Sequence, residues 1–83
     1  MVKLEEMYRR VGFEAITVSE IDDIFYALKK LGIQEVIVNN EQMGMITMWC
    51  IANYGDKEYD GWSRARIIRE GKIDKFLGIQ LVV

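Results

Sequence analysis

The chain has 83 residues, of which 51% are hydrophobic, and its 11 basic and 13 acidic residues give a net charge of −2 at pH 7. A chain of this length holds one hydrophobic core, so residues 1–83 are expected to form a single domain. Its balanced charge predicts no general attraction to nucleic acid. No apolar run approaches the roughly 18 residues that span a bilayer, and no signal core follows the N-terminus. We therefore expect cytoplasmic synthesis and no membrane partner.

Missing residue types exclude several classes of active site. The chain has no histidine and one cysteine, Cys50. Histidine is the commonest general base and metal ligand near neutral pH, so zinc sites and Ser–His or Cys–His nucleophiles are excluded within one chain. Carboxylate or lysine chemistry stays open. We predict that the chain is not an enzyme, with no catalytic residue, metal site or cofactor.

The N-terminal third predicts two helices. Residues Lys3 to Val11 form a short candidate helix that Gly12 ends, and Phe13 to Ile16 could be extended. A second helix is predicted over residues 18–31, because its apolar residues follow helical spacing. Thr17 or Ser19 can cap it, lysines lie in its last turn, and Gly32 can end it.

The middle of the chain predicts a strand followed by a helix. Ile33 to Val38 is rich in branched residues, and three of them in succession suggest burial on both faces of a sheet. Asn39 and Asn40 are typical residues at the start of a helix. The next stretch, Met43 to Ala52, is apolar nearly all round and fits either a buried helix or a strand. We favour the helix.

The C-terminal third is predicted to be extended. Residues Asn53 to Ser63 form a polar loop with three aromatic residues at or near its ends. Arg64 to Arg69 alternates in a way that predicts a strand, and Ile73 to Val83 is largely extended. These two segments could pair as an antiparallel hairpin. The fold class is therefore α+β, with a small mixed sheet and two to three helices.

Two segments carry a resemblance to a known family. VIVNNE, residues 36–41, leads from a strand into a helix, and GKIDKFLGIQLVV, residues 71–83, is the more distinctive motif. Together with the preceding helix they resemble the major capsid proteins of tailed bacteriophages, a family shared with encapsulin shells. The resemblance covers residues 16–83. Shell subunits are several times longer, so it implies only a sub-domain, the axial-domain region near the local symmetry axis.

The resemblance implies a structural protein that associates with itself or with other shell subunits, located in a virion or shell-like particle. The predicted interaction residues are Tyr54, Tyr59, Trp62, Arg64, Arg66 and Arg69. The aromatic residues could form a recognition loop or could fold back over the sheet. The arginines could make salt bridges to a neighbouring subunit, where the resemblance implies inter-subunit contacts.

Two other functions remain open. A small adaptor or regulatory domain would bind one different protein, and a nucleic-acid-binding module would use the Arg64–Lys75 segment with Trp62 for base stacking. We expect Trp49 and Cys50 to be core packing rather than a redox or ligand-binding feature. The acidic residues Asp22 and Asp23 are expected to be a solvated first helical turn rather than a metal site.

Overall fold

The structure, a computed structural model, describes residues 1–83 and contains four α-helices and six short strands. None of its helices is long and apolar enough to cross a membrane. A 3-10 turn at Val18–Glu20 leads into the second helix. The helices are α1 (Leu4–Met7), α2 (Ile21–Lys30), α3 (Asn40–Asn53) and α4 (Arg64–Glu70), and the strands are β1 (Val2–Lys3), β2 (Glu35–Ile37), β3 (Glu58–Tyr59), β4 (Trp62–Ser63), β5 (Lys75–Phe76) and β6 (Ile79–Val82).

A four-stranded mixed sheet has the order β1-β2-β6-β5. Strands β1, β2 and β6 are parallel, and β5 pairs antiparallel with β6. At the centre of the sheet Val36 lies beside Leu81. This arrangement confirms the predicted α+β class and mixed sheet. Strands β3 and β4 form a separate small hairpin inside the segment predicted to be a polar loop.

One face of the sheet is covered and the other is open. The crossover from β1 to β2 and the crossover from β2 to β6 advance in the same direction across the sheet. Such crossovers are right-handed, so their helices fall on the same face. Accordingly Val36 and Val38 are buried, while Ile37 on the other face is only half-buried. The predicted burial of this strand on both faces is therefore wrong.

Helix α2 confirms the predicted second helix, although it starts differently from the prediction. Its buried residues are Ile21, Ile24, Phe25 and Leu28. Neither Thr17 nor Ser19 caps it with a side-chain hydrogen bond, because their hydroxyl groups lie 3.3 Å apart and bond to each other. The helix instead continues from the 3-10 turn. At its other end the N–H groups of residues 32 and 33 donate to the carbonyls of residues 29 and 28, as in a Schellman motif.

The first predicted helix is shorter than expected. It spans Leu4–Met7 instead of residues 3–11, because Val2 and Lys3 pair with β2 as an edge strand. Residues 13–16 have no regular structure. Leu4 and Met7 are nevertheless buried, so the predicted apolar face does contact the core.

Helix α3 confirms that residues 43–52 are helical. Asn39 starts it through a capping box: its side chain accepts from the Gln42 N–H at 2.8 Å, and the Gln42 side chain accepts from the Asn39 N–H at 3.0 Å. The helix packs against the 3-10 turn, α2 and α4. Neighbours on several sides explain why its sequence is apolar nearly all round.

The predicted strand Arg64–Arg69 is wrong, because this segment is helix α4. The Ser63 hydroxyl caps it by accepting from the Arg66 N–H at 3.2 Å, and Gly71, with a φ of 70°, ends it in a left-handed conformation. Arginine, alanine and glutamate are also good helix formers. The hairpin partner of β6 is therefore β5, and the fold has one helix more than the two to three predicted.

The capping box can be tested by mutation. We expect Asn39→Ala to lower the free energy of unfolding by about 1 kcal/mol, because the Gln42 N–H in the first turn of α3 loses its side-chain acceptor. Urea denaturation followed by circular dichroism measures this change. The matched control is Asn40→Ala, which alters an exposed residue in the same turn and is expected to change stability by less than about 0.5 kcal/mol. Equal effects of the two substitutions would contradict the capping role.

Candidate functional site

The six predicted interaction residues lie in two groups, which meet where Tyr59 and Trp62 pair across the β3–β4 hairpin. Tyr54 and Tyr59 line a cleft beside the β3–β4 hairpin, whereas Trp62 and the three arginines lie on or next to α4. Tyr54 and Trp62 are buried, with only 6% and 3% of their surface exposed. The Tyr54 and Trp62 rings therefore pack inside the fold and do not form an exposed recognition loop.

The Trp62 side chain is enclosed by its neighbours. Its indole Nε1 donates to Asp74 Oδ1 at 2.6 Å, and the Arg66 guanidinium lies 3.8 Å from the centre of the ring. Arg66 also donates to Glu70 and to the Gly61 carbonyl at 2.7 and 2.9 Å. These contacts tie α4, the β3–β4 hairpin and the segment before β5 together. Trp62 has no free face on which a base could stack.

Helix α4 exposes a basic face with an apolar residue at its centre. We call Arg64, Ala65, Ile68 and Arg69 the α4 face, since these residues are exposed and adjacent on the helix. Ile68 is 60% exposed. The ion pairs of the chain are Arg66–Glu70 and the longer Arg69–Glu70 contact of 3.8 Å, so Arg64 has no carboxylate partner.

A groove of opposite charge runs between α1, residues 14–16 and the start of α3. Its volume is about 350 Å³, and we call it the acidic groove. Three exposed carboxylates, Glu5, Glu14 and Glu41, lie along it, and none is in an ion pair. Half-buried Tyr8, Ile16 and Met45 also line it. The groove therefore combines apolar lining with acidic sides.

The acidic groove and helix α4 lie on opposite sides of α3. Glu41 and Met45 line the acidic groove, whereas Met43 lines a different groove together with Arg66 and Glu70 of α4. Two residues advance a helix by about 200°, so Met43 points away from both of its neighbours in the acidic groove. One copy of the domain thus presents basic charge on one flank and acidic charge on the other.

A third surface is a cleft lined by three aromatic side chains. Trp49, Tyr54 and Tyr59 line it together with Lys29 and Leu77, and its volume is about 370 Å³. We call it the aromatic cleft. Sequence reasoning named the two tyrosines but missed Trp49, Lys29 and Leu77 as partners. These three residues approach the tyrosines only in the folded chain, and no local sequence pattern predicts the contact.

Cys50 behaves as a core residue. It is fully buried, and this burial raises the pKa of its thiol to about 11, while the neighbouring Tyr54 side chain partly lowers it. Burial also raises the pKa of Tyr54, and the contact with Cys50 adds to that rise. Near neutral pH the thiol is protonated and is a poor nucleophile. This confirms the prediction that Cys50 is packing.

Acidic side chains do not come together as a metal site. No group of three or more cysteine, aspartate or glutamate side chains in the chain has the geometry to hold a metal ion. Asp22 and Asp23 lie in the first turn of α2, where negative charge is favourable beside the helix N-terminus.

Comparison with known proteins finds no matching family model, no matching curated protein and no matching solved structure. The surfaces of the chain itself therefore carry the functional inference.

The role of Trp62 as packing can be tested through its hydrogen bond. We expect Asp74→Ala to lower the free energy of unfolding by about 1–3 kcal/mol, because a buried indole N–H loses its acceptor. Urea denaturation followed by tryptophan fluorescence measures it. Asp74→Asn keeps an acceptor oxygen and is the matched control, with a smaller expected loss. If Asp74→Ala leaves stability unchanged, the indole is not held as described.

Proposed function

We propose that this domain is a structural self-association module, in which the α4 face of one copy docks into the acidic groove of the next. The observation that carries this proposal is a pair of complementary surfaces: the acidic groove on one flank of α3, and the exposed basic face of α4, the helix that packs on the other flank. Their charged side chains, Arg64 on one flank and three glutamates on the other, have no partners within the chain. A second copy supplies those partners.

The two surfaces also match in their apolar parts. Ile68 projects from the α4 face with 60% of its surface exposed, and a large exposed apolar residue among cations is a typical anchor of an interface. Tyr8, Ile16 and Met45 offer it an apolar lining in the acidic groove. Burying Ile68 there supplies affinity, while the flanking charges fix orientation and partner choice.

A contact between two different surfaces of identical chains is heterologous. Such contacts close into rings when the rotation per subunit closes, and otherwise extend into open assemblies. This geometry fits a subunit of a ring or shell. The resemblance of residues 16–83 to phage capsid and encapsulin subunits supports the same assignment, with the other shell subunits as partners.

Self-association predicts a molar mass that depends on concentration and salt. We expect sedimentation equilibrium to detect oligomers as concentration rises, with affinity falling about tenfold between about 50 and about 500 mM sodium chloride, since salt screens the exposed charges. Ile68→Ser, Arg64→Glu with Arg69→Glu, and Glu14→Lys with Glu41→Lys should each weaken association. These residues are exposed, so the fold should survive.

Mixing the two charge-reversed proteins provides the specific control. Each protein alone presents like charges to itself, whereas in the mixture every basic surface meets an acidic one, so association should return. Asp23→Lys and Lys57→Glu reverse exposed charges outside both surfaces and should leave association unchanged. A wild-type chain that stays monomeric at millimolar concentration in low salt contradicts self-association. Association without rescue in the mixture contradicts this particular interface.

A further inference from the structure

The aromatic cleft lies apart from both surfaces of the proposed interface. It lies where the last turns of α2 and α3 meet the two hairpin turns, at Asp60–Gly61 and Leu77–Gly78. Its volume of about 370 Å³ is within the range of small-molecule sites, about 300–1,000 Å³. The cleft is therefore large enough to hold a small molecule.

The cleft presents a rigid aromatic wall. Tyr59 is 43% exposed, and its ring centre lies 4.6 Å from that of the buried Tyr54. Tyr54 in turn packs edge-on against Trp49 at 6.4 Å, and Trp49 packs against the core residue Phe76 at 5.4 Å. These ring contacts hold the Tyr59 ring in position on its buried side. A ring bound against Tyr59 would meet a surface that needs little ordering.

One basic side chain, that of Lys29, lines the aromatic cleft, and it forms no ion pair. Its ammonium lies over the β5–β6 turn, 3.8 Å from the position that a Cβ on Gly78 would occupy. Asp60 also lines the cleft, where its Oδ2 accepts from the Gly78 N–H at 3.3 Å and forms no ion pair with Lys29. Lys29 is thus the cation that an anion in the cleft would contact.

Two hairpin turns form one side of this cleft. Asp60 and Leu77, with φ values of 54° and 49°, are the two non-glycine residues of the chain with positive φ, and both line the cleft. Each is followed by a glycine of positive φ, as a two-residue hairpin turn requires. Aspartate is common at this position of the turn, but leucine adopts the conformation rarely. Asparagine or glycine would relax the turn at residue 77 but would remove an apolar side chain from the cleft wall.

We propose that the aromatic cleft binds a small molecule that carries an aromatic ring and a carboxylate. The ring lies against Tyr59 and Leu77, and the carboxylate binds the Lys29 ammonium. This site is independent of the proposed self-association, since none of its residues belongs to the α4 face or to the acidic groove.

The probe for this site is 3-phenylpropanoate, titrated into 15N-labelled protein and followed by two-dimensional NMR. We expect saturable shifts at the Trp49 indole N–H and at the amides of Tyr59 and Gly78, with a dissociation constant of the order of 1 mM for so small a molecule. The Trp62 indole N–H is the internal control and should not move. The neutral amide 3-phenylpropanamide and the ring-free butanoate should each bind at least about threefold more weakly.

Two substitutions that change the charge of the cleft in opposite directions test the electrostatic contribution to binding. Lys29→Gln should weaken binding of 3-phenylpropanoate about threefold, whereas Asp60→Asn should strengthen it by a similar factor, because a negative charge leaves the cleft and the turn keeps its acceptor. Tyr59→Ala should weaken binding about fivefold. Leu77→Asn should weaken binding without lowering the free energy of unfolding, which distinguishes a role of residue 77 in binding from a role in stability. Lys72→Gln, outside the cleft, should change nothing.

Three outcomes would overturn the proposal. They are the absence of saturable shifts at the cleft resonances, equal binding of the acid and its amide, and weaker binding in Asp60→Asn.

Discussion

The parallel pairing of β2 with β6 is the interaction on which the rest of the structure depends. It places Val36 beside Leu81, two residues far apart in the sequence, at the centre of the sheet. The Val38 N–H donates to the Val82 carbonyl and the Gln80 N–H to the Gln34 carbonyl, both at 2.8 Å. Such pairing requires a long crossover, and here α3, the β3–β4 hairpin and α4 form that crossover.

The proposed functional surfaces follow from this crossover. Because α3 starts directly after β2, its Asn39 cap and the neighbouring Glu41 face α1 and the acidic groove. The chain must then return to β6, which brings α4 against the other flank of α3. The β5–β6 turn meets the end of α3 beside Trp49. Opposite charges on the two flanks and the aromatic cleft are thus consequences of one topological constraint.

Local signals in the sequence predicted local structure well. The apolar spacing of α2 and the Asn39 cap of α3 identified both central helices. The strand predicted at Arg64–Arg69 is wrong because the short run Arg-Ala-Arg-Ile-Ile-Arg fits either period, and the residues that favour a helix there, the Ser63 cap and Gly71, lie just outside it. The sequence left both alternatives open for Trp62, because its burial is set by Asp74 and Arg66, contacts that only the folded chain makes. For the same reason Lys29 and Leu77 could not be assigned to a cleft.

Amide hydrogen exchange measured residue by residue tests the central pairing most directly. If β2 and β6 form the centre of the sheet, the amides of Val38 and Gln80 should be among the slowest to exchange, opening only with global unfolding. The amides of residues 14–16, which have no regular structure and no backbone acceptor, should exchange fastest among the segments between α1 and β2. Exchange at Val38 and Gln80 as fast as at residues 14–16 would contradict the β2–β6 pairing and the surfaces that depend on it.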